Sequence, residues 1–156
     1  IYIIPQTGKK MKQKRVTYEK NLFILKMYIK FGGFSGKENY MKKIAVFFAE
    51  GYEEIEALTV VDLCRRAGIH TDMVSVTEQK TVTGSHGITV SMDLLFDEVI
   101  FQELDMIVLP GGMPGTKNLE THAGLMSRVE EFDVAGKGVA AICAAPSVFG
   151  KYAYCF

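Results

Sequence analysis

The sequence has few cysteines, and their arrangement matches neither a disulfide framework nor a structural metal site. Its 156 residues contain three cysteines, at positions 64, 143 and 155, and no Cys-x-x-Cys motif occurs. The three histidines, at positions 70, 86 and 122, lack the spacing of metal ligands. We therefore expect no metal and no cofactor, and a reducing, cytoplasmic location.

Long hydrophobic runs and a net charge are missing as well. The apolar stretch over residues 22–31 is interrupted by Lys26 and Lys30, so it is too short and too charged to span a membrane. No small-residue cleavage site follows it. The glycine-rich residues 31–37 lack the spacing of a phosphate-binding loop. We expect no membrane span and no nucleotide-binding loop.

The net charge of zero conceals two parts of opposite sign. Residues 1–40 contain nine Lys and Arg against two acids, whereas residues 41–156 contain nine against sixteen. We interpret 1–40 as a basic extension outside the fold and 41–156 as the domain, which begins naturally at Met41. The alternative for residues 17–31 is a basic amphipathic helix on a membrane surface. An acidic domain predicts no nucleic-acid partner.

Strands and helices alternate from Met41 onward, which is typical of a parallel sheet with helices on both faces. Gly68 is expected to end the first helix. Ligands bind beyond the carboxyl ends of the strands in such sheets, so we expect a site where the loops after residues 49, 109 and 142 meet. The predicted elements are strands at 44–49, 72–76, 106–109 and 139–142, hairpin strands at 81–83 and 88–92, helices at 54–67 and 118–132, and a short helical turn over 97–102.

Cys143 lies where an apolar strand runs into a turn of small residues and then a predicted helix. Ala141 and Ala145 stand two positions before and after it, as a sharp strand-to-helix elbow requires. Free N–H groups at the start of the helix favour the reactive thiolate. The sequence therefore indicates a mounted nucleophile, and the alternative is a buried structural cysteine.

Three carboxylates stand at the start of the first predicted helix, at Glu53, Glu54 and Glu56. A helical wheel puts Glu56 on the side that faces the sheet and Glu54 well away from it. Glu53 lies near that side, at the mouth of the helix. A buried acid there could donate a hydrogen bond to a thiolate or an oxyanion, and periodicity leaves both Glu53 and Glu56 open.

The outer side of the same helix carries an apolar residue among polar ones: Ile55, with Thr59, Asp62 and Arg66. This pattern indicates a contact between subunits. The alternative is a single exposed apolar side chain, which has no function.

Four segments resemble the DJ-1/PfpI superfamily, in particular its ThiJ-like branch, in order and spacing over residues 42–150. They are Ile44-Ala-Val-Phe-Phe-Ala-Glu-Gly-Tyr-Glu-Glu-Ile-Glu56, Val61-Asp-Leu-Cys-Arg-Arg-Ala-Gly68, Val108-Leu-Pro-Gly-Gly112 and Ala140-Ala-Ile-Cys-Ala-Ala-Pro146. The resemblance implies an α/β, flavodoxin-like, doubly wound and mostly parallel sheet, similar to class I glutamine amidotransferases. It also implies a homodimer through the outer side of the first helix.

The resemblance further implies roles for individual residues. Cys143 corresponds to the reactive cysteine and Glu56 to the glutamic acid that hydrogen-bonds it. The backbone of Gly111, Gly112 and Ala144 corresponds to the oxyanion and substrate-binding segment. His86 falls in the hairpin loop that offers a basic side chain near the pocket in relatives.

The activities implied are those of a cysteine-dependent glyoxalase or deglycase that acts on small reactive aldehydes or glycation adducts. The alternatives are a redox-sensing chaperone without turnover and an inactive fragment, and an older family label is thiazole monophosphate biosynthesis. Ala144 stands where the peptidase-like branch has a histidine, which argues against proteolysis.

The family pattern continues beyond the point where this sequence matches it. The match reaches about Gly150, and the sequence then ends in Tyr152-Ala-Tyr-Cys-Phe156. We expect roughly the last third of the domain to be lacking, together with the partner histidine of the family. The cysteine strand would then lie at or near an edge of the sheet.

Overall fold

The computed structural model describes residues 2–3 and 43–150, and eight strands and four helices are found there. The strands are β1 (Tyr2–Ile3), β2 (Lys43–Phe48), β3 (His70–Ser75), β4 (Thr81–Thr83), β5 (Thr89–Ser91), β6 (Leu94–Leu95), β7 (Met106–Leu109) and β8 (Gly138–Ala141). The helices are α1 (Glu54–Arg66), α2 (Gly115–Thr121), α3 (Ala123–Val134) and α4 (Ser147–Gly150). Within the described ranges, no helix is long and apolar enough to cross a membrane.

Six of the strands form one sheet in the order β1-β8-β7-β2-β3-β6. Its neighbours are parallel except for β1, which runs antiparallel to β8. The strands β4 and β5 form a separate antiparallel hairpin. The predicted strands are confirmed, with ends that differ by one or two residues.

Strand β2 is buried on both faces, as a central parallel strand should be. Ala45 and Phe47 belong to an apolar cluster that also contains buried residues of α2 and α3. Val46 and Phe48 belong to a second cluster, which contains buried residues of α1 and of the hairpin. Because side chains alternate along a strand, the two clusters lie on opposite faces, and the predicted helices on both faces are confirmed.

Helix α1 ends where the sequence predicted. Gly68 has a φ of 75°, in the left-handed region that costs glycine little. The Gly68 N–H donates to the carbonyl of Arg65 at 3.0 Å, and the Ile69 N–H donates to that of Cys64 at 3.0 Å. These bonds satisfy carbonyl groups at the end of the helix.

The single helix expected over residues 118–132 is wrong, because α2 and α3 are separate helices. His122 stands between them with extended backbone, φ −80° and ψ 92°. Its Nδ1 accepts the Leu125 N–H at 3.0 Å and so caps α3. The short turn expected over residues 97–102 is two 3₁₀ turns, Phe96–Glu98 and Phe101–Glu103.

The outer edge of β8 is paired with residues from the beginning of the chain. Tyr2 is opposite Ala141 and Ile3 is opposite Ala140. Apart from these two residues, the segment 1–40 lies outside the described residues, and its interpretation as an extension stays a prediction. The amphipathic helix proposed for residues 17–31 lies outside the described residues, as does the cysteine at position 155.

Candidate active site

Three loops meet at the carboxyl ends of β2, β7 and β8, at the edge where the sequence predicted a site. The Glu53 N–H donates to the carbonyl of Gly111 at 3.0 Å. The Gly111 N–H donates to Glu56 Oε2 at 3.1 Å. Glu56 also shares a side-chain hydrogen bond with Cys143. The structure thus brings the first helix, the Pro-Gly-Gly loop and the cysteine elbow into direct contact.

Cys143 has an unusual backbone conformation. Its φ is 53°, and no other non-glycine residue in the described ranges has a positive φ. A side chain in this region costs about 1–2 kcal/mol, so the surrounding structure must hold the residue there. The side chain is exposed, which rejects the alternative of a buried structural cysteine. The observed geometry is that of a strained elbow that presents its sulfur to solvent.

Backbone hydrogen bonds on both sides hold the elbow. The Ile142 N–H donates to the carbonyl of Leu109 at 3.0 Å, which continues the pairing of β8 with β7. The Ala145 N–H donates to the carbonyl of Ile142 at 2.9 Å. Ser147 Oγ and the Ser147 N–H both donate to the carbonyl of Ala144, at 2.8 and 3.1 Å. The elbow is therefore fixed by the sheet before it and by the turn after it.

Between the two candidate carboxylates, the structure brings Glu56 to the sulfur. Glu53 is the N-cap residue of α1, and its Oε2 accepts the Glu56 N–H at 2.7 Å. Glu56 lies in the first turn and reaches both Cys143 and Gly111. The two acids therefore have different roles: Glu53 caps the start of the helix, and Glu56 faces the cysteine.

Contacts with Glu56 raise the pKa of the Cys143 thiol. The hydrogen bond to Glu56 has the largest effect, and partial burial and the negative charge of Glu56 act in the same direction. The Ala144 N–H, hydrogen-bonded to the sulfur, opposes them. The raised pKa departs from the expectation of a readily ionised thiol. A carboxylate that faces a sulfur stabilises the protonated thiol over the thiolate.

Glycines allow the backbone to approach this pair closely. A Cβ at Gly111 would stand 2.5 Å from Glu56 Oε2 and 3.0 Å from the Cβ of Cys143. Gly112 has a φ of 97°, and a Cβ there would stand 2.7 Å from the carbonyl carbon of Tyr52. A side chain at either position would push the Pro-Gly-Gly loop away from the site.

Two backbone N–H groups are candidates for binding an oxyanion. The Ala144 N–H already points to the cysteine sulfur. The Gly112 N–H makes no hydrogen bond to any residue of the described ranges. The helix α4 begins only at Ser147, so the N–H that reaches the sulfur belongs to the turn and not to the helix.

His86 binds Glu54 in the structure. Its Nδ1 is 2.8 Å from Glu54 Oε2, and its backbone N–H donates to Glu54 Oε1 at 2.7 Å. The wheel's placement of Glu54 away from the buried side is wrong, since only 4% of Glu54 is exposed. The hairpin covers that side of α1, which a wheel cannot reveal. Burial of the Glu54 carboxyl raises its pKa, but hydrogen bonds from His86 outweigh this effect and lower the pKa to about 2; Glu54 in turn raises the pKa of His86.

One group of side chains has the composition of a metal site. Ligand atoms of Glu53, Glu54 and His86 lie within 4.8 Å of one another. Two of these carboxylates already have protein partners, because Glu53 caps α1 and Glu54 binds His86. Helix capping and an ion pair explain the grouping, and the absence of a metal stays a prediction.

Comparison with known proteins identifies what the chain is similar to. The sequence model of the DJ-1/PfpI family matches residues 42–154. Protein DJ-1 homolog B of Arabidopsis thaliana is 37% identical over 112 residues, which are 71% of this chain and 26% of that protein. A protein named deglycase from Thermococcus kodakarensis is 36% identical over 107 residues, which are 68% of this chain and 63% of that protein.

Solved structures agree with these sequence matches. The oxidised form of Toxoplasma gondii DJ-1 superimposes with a TM-score of 0.69 at 36% identity, over 72% of this chain and 61% of that one. Drosophila melanogaster DJ-1beta gives 0.68 at 31% identity, over 71% and 60%. The flavodoxin-like fold expected from the sequence is confirmed. The chain spans about three fifths of the length of these neighbours.

The contact between Glu56 and Cys143 predicts the effect of removing one charge. In Glu56→Gln, the pKa of the Cys143 thiol should fall by about one unit, because an anion that stabilises the thiol is replaced by a neutral amide. The rate of iodoacetamide alkylation as a function of pH, read on the Cys143 peptide by mass spectrometry, measures this pKa. Asp62→Asn, which removes an exposed acid farther along the same helix, is the control and should leave it unchanged. A pKa that stays constant or rises in Glu56→Gln would disprove the assignment.

Proposed function

The chain belongs to the DJ-1/PfpI family, and we propose that it uses Cys143 to act on small reactive aldehydes or their glycation adducts, as a glyoxalase or deglycase. The observation that carries this proposal is the exposed sulfur of Cys143, held in a strained conformation against Glu56. The combination of a nucleophile with an adjacent proton acceptor is the usual requirement for covalent catalysis on a carbonyl group.

The contact between Glu56 and Cys143 supports a mechanism in which Glu56 accepts the thiol proton. As the sulfur bonds to the aldehyde carbon, the thiol proton moves to the Glu56 carboxylate and the carbonyl π electrons move to oxygen. The Ala144 and Gly112 N–H groups stabilise that oxyanion. Glu56 then returns the proton to the oxygen, which completes a hemithioacetal.

The hemithioacetal of methylglyoxal can proceed to lactate without an external oxidant. Transfer of the hydrogen on the thiol-bearing carbon, as a proton, to the neighbouring ketone carbon oxidises the first carbon and reduces the second. The product is a lactoyl thioester on Cys143. Water cleaves the thioester, which releases lactate and restores the thiol. Glu56 is the group beside the sulfur that can carry protons in these steps.

The names of the relatives support a substrate of this class. Proteins named deglycase in Thermococcus kodakarensis and Pyrococcus furiosus are 36% and 35% identical to this chain, and it covers 63% of each. Both cysteines in the described ranges, Cys64 and Cys143, are free thiols. Free thiols are compatible with the reducing cytoplasm that we propose as the location.

The proposal predicts that aldehyde consumption depends on two side chains in different ways. Cys143→Ala should abolish the loss of methylglyoxal, because no sulfur is left to add to the carbonyl. Glu56→Gln should lower kcat by about a hundredfold or more, although its thiol is more ionised, because the proton carrier is lost. Methylglyoxal consumption and lactate formation, measured together with purified chain, test both. Cys64→Ala, which removes a buried thiol, is the control.

Turnover that persists in Cys143→Ala would refute the proposal. If the unsubstituted chain consumes no aldehyde, the redox-sensing alternative can be examined in the same preparation. Burial raises the pKa of Cys64 to about 11, so mild peroxide should oxidise the exposed Cys143 first.

We also propose that the outer side of α1 forms a homodimer contact. Ile55 is 63% exposed there, and Thr59 is exposed on the same side. Asp62 Oδ2 and Arg66 Nε form an ion pair at 2.8 Å, also exposed. An apolar centre with a charged rim is the composition of many subunit contacts.

The dimer proposal predicts that one substitution changes the molecular mass in solution. Ile55→Asp should convert a dimer to a monomer, because the contact would bury an unpaired charge. Light scattering coupled to gel filtration measures the mass. Ile100→Asp, at another exposed isoleucine (54%), is the matched control and should remain dimeric. A monomeric unsubstituted chain, or a dimeric Ile55→Asp variant, would exclude this contact.

A further inference from the structure

We propose that Glu54 is a positioning residue for Cys143, because it binds the loop between β4 and β5 to the first turn of α1 and thereby holds Glu56 against the cysteine. The inference rests on the proposed function, since it concerns the reactivity of the same sulfur. Glu54 itself does not touch the cysteine, so its effect must pass through the backbone between them.

Glu54 contacts the hairpin loop through its carboxylate. Its carboxylate is buried and accepts three hydrogen bonds from the hairpin loop. They come from the His86 N–H at 2.7 Å, from His86 Nδ1 at 2.8 Å and from Ser85 Oγ at 3.3 Å. The loop approaches so closely that a Cβ at Gly84 would collide with the Glu54 carboxylate. A side chain at position 84 would therefore displace this carboxylate.

Backbone hydrogen bonds also join the hairpin to the residues that precede α1. The Gly51 N–H donates to the carbonyl of Thr83, and the Ser85 N–H donates to that of Tyr52, both at 2.8 Å. The hairpin therefore runs alongside the loop that leads into α1. Glu54 is the first residue of α1, and its side chain extends this contact to the helix because it binds the hairpin loop.

Hydrogen bonds through the Pro-Gly-Gly loop connect the start of α1 to the cysteine. Glu53, directly before Glu54, donates its N–H to the carbonyl of Gly111. Gly111 returns a hydrogen bond to Glu56, which contacts Cys143. The position of Glu56 thus depends on where α1 begins, and the hairpin loop fixes that point.

Stability alone gives a weak reason for a charge at Glu54. Burial costs the Glu54 carboxylate its hydration, and an ion pair with the largely exposed His86 side chain offsets this cost only in part. The remainder of the buried side of α1 is apolar, and includes Ala57, Val60 and Cys64. A directional contact at Glu54 fixes the position of the loop, which apolar packing does less strictly.

The test is the pH dependence of Cys143 alkylation in the full chain, which needs no turnover. Glu54→Ala should lower the pKa of the Cys143 thiol by about half a unit, which increases its thiolate fraction about threefold below the pKa, because Glu56 is held less closely. Glu54→Gln keeps an acceptor for the His86 N–H and should restore most of the original value. Val60→Ala removes buried apolar contacts from the same helix and should lower thermal stability without moving the pKa.

A double substitution separates positioning from a general effect. In the Glu56→Gln background, Glu54→Ala should produce no further shift, because the group that it positions is gone. An equal shift in both backgrounds, or none in either, would overturn the inference. If Glu54→Ala fails to fold, His86→Ala serves the same test with a smaller shift in the same direction, and its absence would overturn the inference too. A chain that shows these shifts but consumes no aldehyde would contradict only the proposed function.

Discussion

The site depends on one contact, between the carboxyl group of Glu56 and the sulfur of Cys143. The hydrogen bond to Glu56 raises the pKa of the Cys143 thiol and so favours its protonated form. In the proposed mechanism, Glu56 accepts the thiol proton as the sulfur attacks, so a thiol that is already ionised at neutral pH is not needed.

The fold makes this contact possible by bringing three backbones together at one edge of the sheet. The strand β8 delivers Cys143 in a strained conformation that β7 stabilises through Leu109. The loop after β7 contains Gly111, whose missing side chain leaves room for Glu56. The hairpin loop contacts the start of α1 through the hydrogen bonds from His86 to Glu54. The same parallel arrangement puts catalytic groups beyond the strand ends in many α/β proteins.

Much of the fold could be predicted because it depends on local pattern. The alternation of apolar strands with amphipathic helices gave the parallel sheet, and Gly68 marked the end of α1. The features that the sequence did not predict depend on contacts between distant segments. The burial of Glu54 requires a hairpin about thirty residues away. Periodicity left both Glu53 and Glu56 open, because the contact of Glu56 with the Pro-Gly-Gly loop involves a segment that a helical wheel does not include. The direction of the Cys143 pKa shift likewise follows from how Glu56 is held.

The most direct measurement of this contact is ¹³C NMR of the full chain with the Cβ of cysteine labelled, which follows the titration of the Cys143 thiol. Because Glu56 raises the pKa of this thiol, the Cys143 resonance should titrate above the value of about 8.5 for an ordinary thiol. Titration of Cys143 at or below that value would contradict the proposed contact.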